Sequence, residues 1–287
     1  MRRRITVVDA HLELWKTSLH PYPRMAGSQF DPIPRDFTLE DVRPWLAIAG
    51  VDYIVLVQTL SSVEETRELL QIAETTAFVA GVVGWVDLTH GAVGETLAAL
   101  KGQPDGKWLV GVRHPVLDEA DPEWLLRTDV QRGLEAVRDV GLVYDFHIRP
   151  RELPAALATA HAIPDMRFVI DYLAKPAIAP GKMAEWAALL EPFRHLPHVT
   201  CKLSGMLREA GWTEWTPVHL RPYLLKGLDI FGIDRVMFGS DWPASLPSGE
   251  YGGVKQALEE ALPRLPLEDW TKVFGGNAIQ QYRLDIA

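Results

Sequence analysis

The sequence predicts an α/β chain closed into a (β/α)8 TIM-like barrel, and three features point there. Apolar, β-branched runs recur at 5–14 (ITVVDAHLEL), 51–59, 78–86, 109–116, 141–148, 167–173, 199–205 and 235–242. They stand about 30 residues apart, the repeat length of a strand–helix unit. They are also nearly continuous in hydrophobicity rather than alternating, as expected of parallel strands covered on both faces. An open doubly wound sheet fits less well: no glycine-rich phosphate turn follows the first strand, and eight parallel strands tend to close.

Taken in order, each strand is separated from the next by helical or loop sequence. Thr38-Leu39-Glu40-Asp41 predicts the cap of the first helix and Ser61-Ser62-Val63-Glu64-Glu65 that of the second. Further helical patterns run at 121–139, 151–162, 182–195, 217–230, 253–262 and 267–282. The stretch from Trp15 to Phe37 has no period and carries prolines at 21, 23, 32 and 34. A loop of that length after a barrel strand predicts a pocket wall or lid. Residues 1–287 are expected to form a single barrel domain.

Composition excludes several classes of function. At 287 residues, 47% hydrophobic and 23% charged, the chain has the makeup of a globular protein with a large core. A net charge of −9 leaves no basic face for nucleic acid. No window approaches the roughly 20 apolar residues of a membrane span. Arg2-Arg3-Arg4 lacks the apolar segment of a secretion signal. A single cysteine, Cys201, excludes an intrachain disulfide or a CxxC metal site, and the expected compartment is the cytoplasm.

In a barrel, chemistry sits at the C-terminal strand ends. Those ends carry His11, Glu13, Gln58, Asp87, Arg113, His114, Asp145, His147, Asp171, Tyr172, Lys202, Ser204 and Asp241, while the opposite ends carry little of this kind. That asymmetry predicts an enzyme. On the first strand Asp9, His11 and Glu13 are two apart, and a period of two predicts that all three point the same way, into the interior. Parity likewise places His147 on the same face as Asp145, and turns His114 away from Arg113 towards the helices.

Asp9-Ala10-His11, Gly111-Val112-Arg113-His114 and Phe168 to Pro176 (FVIDYLAKP) carry a family resemblance. So do Cys201-Lys202-Leu203-Ser204-Gly205, Phe238-Gly239-Ser240-Asp241-Trp242-Pro243 and Phe274-Gly275-Gly276-Asn277-Ala278. In these motifs the chain resembles the amidohydrolase superfamily, in the branch of sugar-acid lactonases that includes L-fuconolactone and L-rhamnonolactone hydrolases. It is also similar to the pyrone-dicarboxylate and muconolactone hydrolases. The resemblance implies a distorted barrel and hydrolysis of a lactone carbonyl, often without a metal. It implies that Asp241 accepts the proton of the attacking water, with donors aimed at the oxyanion. Two positions depart from the pattern. The family's first-strand motif is His-x-His where this chain has His11-Leu12-Glu13, and its sixth-strand motif is Asp-His where this chain has Asp171-Tyr172. An ionised Glu13 can only accept hydrogen bonds and needs a cation beside it, whereas Tyr172 can still donate.

The expected catalytic set is therefore Asp241, His11, Tyr172, Glu13 and His147, with His147 supplying a donor lost elsewhere. The expected substrate-binding set is Arg113, Lys202, Trp15, Trp242, Asp145 and Tyr22, the cations serving anions or hydroxyls and the aromatics stacking on a ring. Further walls are expected at Arg208–Pro217, with Trp212 and Trp215, and at Pro243–Gly253. No cofactor is expected. The minority alternative is a divalent metal such as zinc, held by His11, Glu13 and Asp241. The partner is a small-molecule substrate, and a homo-oligomer is left open. The leading function is a metal-independent lactone hydrolase. Lyase, decarboxylase or cyclase chemistry on a secondary metabolite, or a non-catalytic binding role, stay open as alternatives.

Overall fold

The computed structural model describes residues 5–22, 35–179, 181–211 and 215–286. Eight strands are present: β1 Val8–Glu13, β2 Tyr53–Val57, β3 Val79–Gly84, β4 Leu109–His114, β5 Val143–Phe146, β6 Phe168–Ile170, β7 Val199–Leu203 and β8 Val236–Phe238. They pair in chain order and all pairs are parallel. The ring closes between β8 and β1 just past the end of β8. There the Asp241 amide donates to the His11 carbonyl at 2.9 Å and the Glu13 amide to the Trp242 carbonyl at 2.7 Å. The expected (β/α)8 barrel is what forms.

Helices lie outside the ring: α1 Leu39–Ala49, α2 Val63–Thr75, α3 Val93–Lys101, α4 Thr128–Asp139, α5 Leu153–Ala162 and α6 Met183–Leu190. They continue with α7 Met206–Glu209, α8 Pro217–Phe231, α9 Tyr251–Ala261, α10 Leu267–Thr271 and α11 Asn277–Tyr282. Both expected caps form. Asp41 accepts from the Thr38 amide at 2.9 Å, and Ser62 Oγ accepts from the Glu64 and Glu65 amides at 3.1 and 3.2 Å. Helix α3 was not among the expected helical patterns, because its nine residues carry a glycine and too short an apolar period. The pattern at 267–282 is interrupted by a π-helical turn at Lys272–Gly276.

Two apolar layers result. Val8, Ala10, Val55, Val57, Ala80, Val83, Val169 and Met237 fill the barrel together with Tyr282 of α11. A larger layer, with Leu12, Ile54, Leu56, Leu69 and Leu134 among its members, packs the outside of the sheet against the helices. Tyr282 reaches inward far enough for its hydroxyl to donate to Asp145 Oδ2 at 2.7 Å. Among the described residues, no helix is long and apolar enough to cross a membrane.

Helix α2 also holds the loop leaving β2. Glu65 accepts from the amides of Thr59 and Leu60 at 3.0 and 2.8 Å and from the Thr59 hydroxyl. Burial outweighs these bonds, and with the Glu13 charge it pushes the carboxyl up to about 7. The folded state thus holds this proton more tightly than the unfolded chain does. Stability from the protonated carboxyl is complete below about pH 4.5 and is lost as the pH rises through about 7. The loss is on the order of 3 kcal/mol. Glu65→Gln keeps the acceptor for both amides. In melts from pH 5 to pH 8, the wild type should lose several degrees relative to this variant; parallel melting curves would refute the assignment.

Candidate active site

The site begins with an irregularity in β1. Asp9 pairs with Ile54 but Leu12 pairs with Leu56, so β1 carries one extra residue between them. Such a bulge shifts the side-chain parity. Val8 and Ala10 point into the barrel and Leu12 points out, while His11 and Glu13 turn inward towards the mouth. This corrects the expectation that Asp9, His11 and Glu13 share a face. Asp9 is fully buried on the other side, where Oδ1 accepts from the Ser240 and His11 amides at 2.8 and 3.0 Å and Oδ2 from the Tyr251 hydroxyl at 2.9 Å. Burial raises its pKa. Asp9 belongs to the β8–β1 seam. Gly239 lets that seam close, since a Cβ there would lie 2.7 Å from the His11 Cβ and 3.0 Å from that of Ser204.

Arg113 of β4 lies at the centre of the inward-facing groups. Its guanidinium is buried and donates to Glu13 Oε1 at 2.9 Å, to Asp171 Oδ2 at 3.1 Å and to the Gln58 carbonyl. It also lies 3.1 Å from His11 Nε2 and 3.4 Å from the Tyr172 hydroxyl. This supplies the cation that Glu13 needs. Burial opposes the ionised form of Glu13, but His11 and Arg113 outweigh it and bring its pKa to about 2.

Strand β6 ends at Ile170, and Tyr172, Leu173, Ala174 and Lys175 then adopt φ of 58°, 52°, 58° and 51°. Four consecutive left-handed non-glycine residues cost on the order of 1 kcal/mol each. The turn is what brings two adjacent residues into one site. Asp171 contacts Arg113, and the Tyr172 hydroxyl lies 2.7 Å from His11 Nε2. Gly205, itself left-handed, lets the Tyr172 ring sit down, since a Cβ at 205 would be 2.4 Å from the ring. Burial and the Asp241 charge raise the Tyr172 pKa well above the ordinary phenol value, so it is a neutral hydroxyl.

Beneath His11, Lys202 Nζ lies 2.7 Å from Asp145 Oδ2, 3.1 Å from Asp171 Oδ1 and 3.3 Å from His11 Nδ1. Burial raises the Asp145 pKa against the pull of Lys202. Burial opposes ionisation of Asp171 as well, but Lys202, His11 and Arg113 hold that carboxyl well below its usual range. Burial and Lys202 press His11 towards neutrality, while the Asp171 and Glu13 carboxylates prevail and raise its pKa. Each imidazole nitrogen thus faces a donor-only cation, Arg113 at Nε2 and Lys202 at Nδ1, with Asp171 Oδ1 3.5 Å from Nδ1.

Asp241 follows β8 with φ of 57° and is fully buried. Its Oδ2 accepts from Arg208 Nη1 of α7 at 3.0 Å, while its Oδ1 is buried without a hydrogen-bond partner. His11, Glu13 and Asp241 each offer a ligand atom within 4.8 Å of the others. One imidazole nitrogen and two carboxylates suit a divalent ion such as zinc. The charge balance fits too. Among the described residues, Glu13, Asp145, Asp171 and Asp241 form ion pairs with Arg113, Lys202 and Arg208, while nearby Lys175 is paired with Glu209, which leaves the set one positive charge short unless His11 is protonated or a cation binds.

The expected site residues divide into two groups. His11, Glu13, Arg113, Tyr172 and Asp241 converge, and the His147 ring stands 5.4 Å from that of Tyr172. Lys202 and Asp145 have no exposed surface and hold each other and Tyr282. Trp15 and Tyr22 go elsewhere. Trp15 pairs with Phe37 through backbone hydrogen bonds of 3.3 and 2.8 Å, and its ring turns towards Tyr22. Both line an apolar cavity of about 280 Å³ beside α2 whose lining includes none of the converging residues. Trp242 is buried edge-on against Phe37 at 5.3 Å. His114 faces outward as expected, stacked on Trp124 at 4.2 Å. Trp215 donates to the Ser248 carbonyl at 2.7 Å, joining the two expected walls, while Trp212 lies outside the described residues. Arg208 was expected only as part of a wall, and Asp171 had no assigned role. The signal for both was their place just past a strand end.

A barrel with this cluster at its C-terminal mouth defines an amidohydrolase, and residues 8–284 match the amidohydrolase family. The chain belongs to that family. It is 37% identical to the L-fucono-1,5-lactonase of Burkholderia ambifaria, over 97% of this chain and 96% of that protein. An amidohydrolase from Burkholderia multivorans solved with bound zinc is 32% identical and superposes with a TM-score of 0.92, covering 98% of this chain and 100% of that one. A putative 2-pyrone-4,6-dicarboxylic acid hydrolase from Pseudomonas putida, 21% identical with a TM-score of 0.80 over 99% and 100% of the two chains, shares the fold. The zinc in the B. multivorans structure and the His11, Glu13 and Asp241 donor set overturn the expectation of no cofactor. The physical reason is that Glu13 stays an ionised oxygen donor, so the loss of the second histidine of His-x-His does not leave that position without one.

A side chain at 239 should disturb this arrangement. Gly239→Ala forces β8 away from His11 and should cost about 1–3 kcal/mol. A melting temperature within a degree of the wild type would show that the seam has slack.

Proposed function

We propose that the chain is a lactone hydrolase acting on a sugar-acid lactone, with L-fucono-1,5-lactone the first candidate. The observation that carries this reading is the Asp241 carboxylate, one oxygen held by Arg208 and the other buried and unpartnered, next to His11 and the neutral Tyr172 hydroxyl. The names of its relatives support the substrate class.

The chemistry follows from the donors and acceptors. Water beside Asp241 gives a proton to the carboxylate as its oxygen bonds to the lactone carbonyl carbon. The carbonyl electron pair moves onto oxygen, where the Tyr172 hydroxyl donates to it and the Arg113 charge stabilises it. When the carbonyl re-forms, the ring C–O bond breaks. The ring oxygen takes the electron pair and recovers the proton from Asp241. The product is the open hydroxy acid, one water heavier. Glu13 does not repel the oxyanion, because Arg113 neutralises it at 2.9 Å. Lys202 and Asp145 orient His11 from below, His147 borders Tyr172, and Trp242 fixes the seam beside Asp241. His11, Glu13 and Asp241 would hold a divalent ion such as zinc, which supplies Lewis acidity towards the carbonyl when bound.

A panel of sugar-acid and aromatic lactones, followed by acid release with a pH indicator, tests the reading. L-Fucono-1,5-lactone should be opened, and Asp241→Asn should lower kcat/KM by about 10²–10⁴-fold with an unchanged circular dichroism spectrum. An inert wild type, or a fully active variant, defeats the proposal. In equilibrium dialysis, the wild type should retain zinc and Glu13→Gln should lose it. Equal zinc in both would remove Glu13 from the ligand set.

A further inference from the structure

The structure assigns Arg208 as the positioning residue for Asp241: it holds one carboxylate oxygen, leaves the other to the site, and competes for that carboxylate with any bound cation. None of the relatives' names bears on this residue, which sits on the short helix just past the end of β7.

Arg208 is the third residue of α7, a four-residue helix that starts at left-handed Gly205 immediately after the β7 exit. The missing Cβ at 205 lets the chain pass against the Tyr172 ring, so one close contact seats both Tyr172 and the helix that delivers the guanidinium. Arg208 Nη1 reaches Asp241 Oδ2 at 3.0 Å, with the carboxylate fully buried and the arginine side chain 19% exposed. The backbone of Asp241 is fixed independently. Its amide donates to the His11 carbonyl at 2.9 Å and its carbonyl accepts from the Ser245 amide at 2.8 Å. Arg208 is therefore the group that sets the rotation of the carboxylate, and the oxygen left over is Oδ1.

The same pairing has an electrostatic consequence. Both carboxylates of the His11, Glu13 and Asp241 set already have a guanidinium partner, Arg113 for Glu13 and Arg208 for Asp241. A divalent ion would bind within a few ångströms of both positive charges, a repulsion that burial strengthens. Of the two arginines, Arg208 is the one on the solvent side, since Arg113 is 1% exposed. Removing Arg208 leaves the buried Asp241 carboxylate without its cation, a charge that a bound zinc ion would then neutralise.

The test uses zinc alone and then a lactone. By isothermal titration of the metal-stripped full chain, Arg208→Met should bind zinc at least about tenfold more tightly than the wild type. Arg208→Lys, which restores the charge, should return the affinity to within about threefold of the wild-type value. With L-fucono-1,5-lactone, Arg208→Met should lower kcat at least about tenfold with KM changed less than about twofold, and Arg208→Lys should recover part of kcat. Equal or weaker zinc binding in Arg208→Met, no zinc binding in either protein, or an unchanged kcat overturns the assignment. Should Arg208→Met not fold, Arg208→Gln, likewise uncharged, takes its place. The kinetic half rests on the lactone-hydrolase reading. The zinc half does not, so a wild type that opens no lactone sinks that reading while the affinity difference still decides the role of Arg208.

Discussion

The Arg113 guanidinium is the interaction on which the rest of the site depends. It crosses the mouth of the barrel from β4 to touch groups carried by β1, by the exit of β2 and by the turn after β6. A buried cation of this kind is tolerated only when its donors are matched, because removing either partner of a buried pair leaves a charge uncompensated. Glu13 and Asp171 supply the two carboxylates, and the Gln58 carbonyl takes a further hydrogen. Three strand ends are thereby brought to a common centre. The substitution of a glutamate where the family pattern has histidine is intelligible in these terms. Glu13 is the anion that keeps Arg113 in place, and in return Arg113 keeps Glu13 ionised.

Around that centre the backbone departs from regular geometry in two places, and each departure moves a side chain of the candidate site. The bulge in β1 sends Asp9 outward to the seam and His11 inward to the site. The left-handed turn after β6 lets Asp171 and Tyr172 serve one cluster although they are neighbours in sequence. Strain of this kind persists only where surrounding contacts over-determine it. Here they do. The Leu173 carbonyl accepts from the Trp186 indole at 2.8 Å, the Lys175 amide donates to the Tyr172 carbonyl at 2.8 Å, and the Tyr172 ring rests on Gly205.

The cluster is also built close to charge balance. Lys202, Asp145 and Tyr282 form a chain from the C-terminal helix up to His11, so the floor of the barrel positions the imidazole at its top. Glu13 and Asp241 each face an arginine, and an added cation and the two guanidinium groups share the same carboxylates. Affinity for a metal and orientation of the Asp241 carboxylate are in this sense one property of the site.

Much of this was legible in the chain itself. Eight apolar runs at a regular spacing specify parallel strands with both faces covered, and the polar residues gathered at one end of each run mark the candidate site. His11, Glu13, Arg113, Tyr172 and Asp241 were all found by that rule, and the motifs around them identified the family. The facing of Asp9 was not legible, because a single inserted residue reverses parity and the register of β1 against β2 and β8 decides where it falls. Nor was the burial of Lys202 and Asp145 in each other's company, the outward turn of Trp15, or the pairing of Arg208 with Asp241. Those depend on which charges meet after the ring closes. Local sequence determines the period of each element and the residue types at its end; partners far apart in the chain are chosen by the closed barrel, where low dielectric makes every unmatched charge costly.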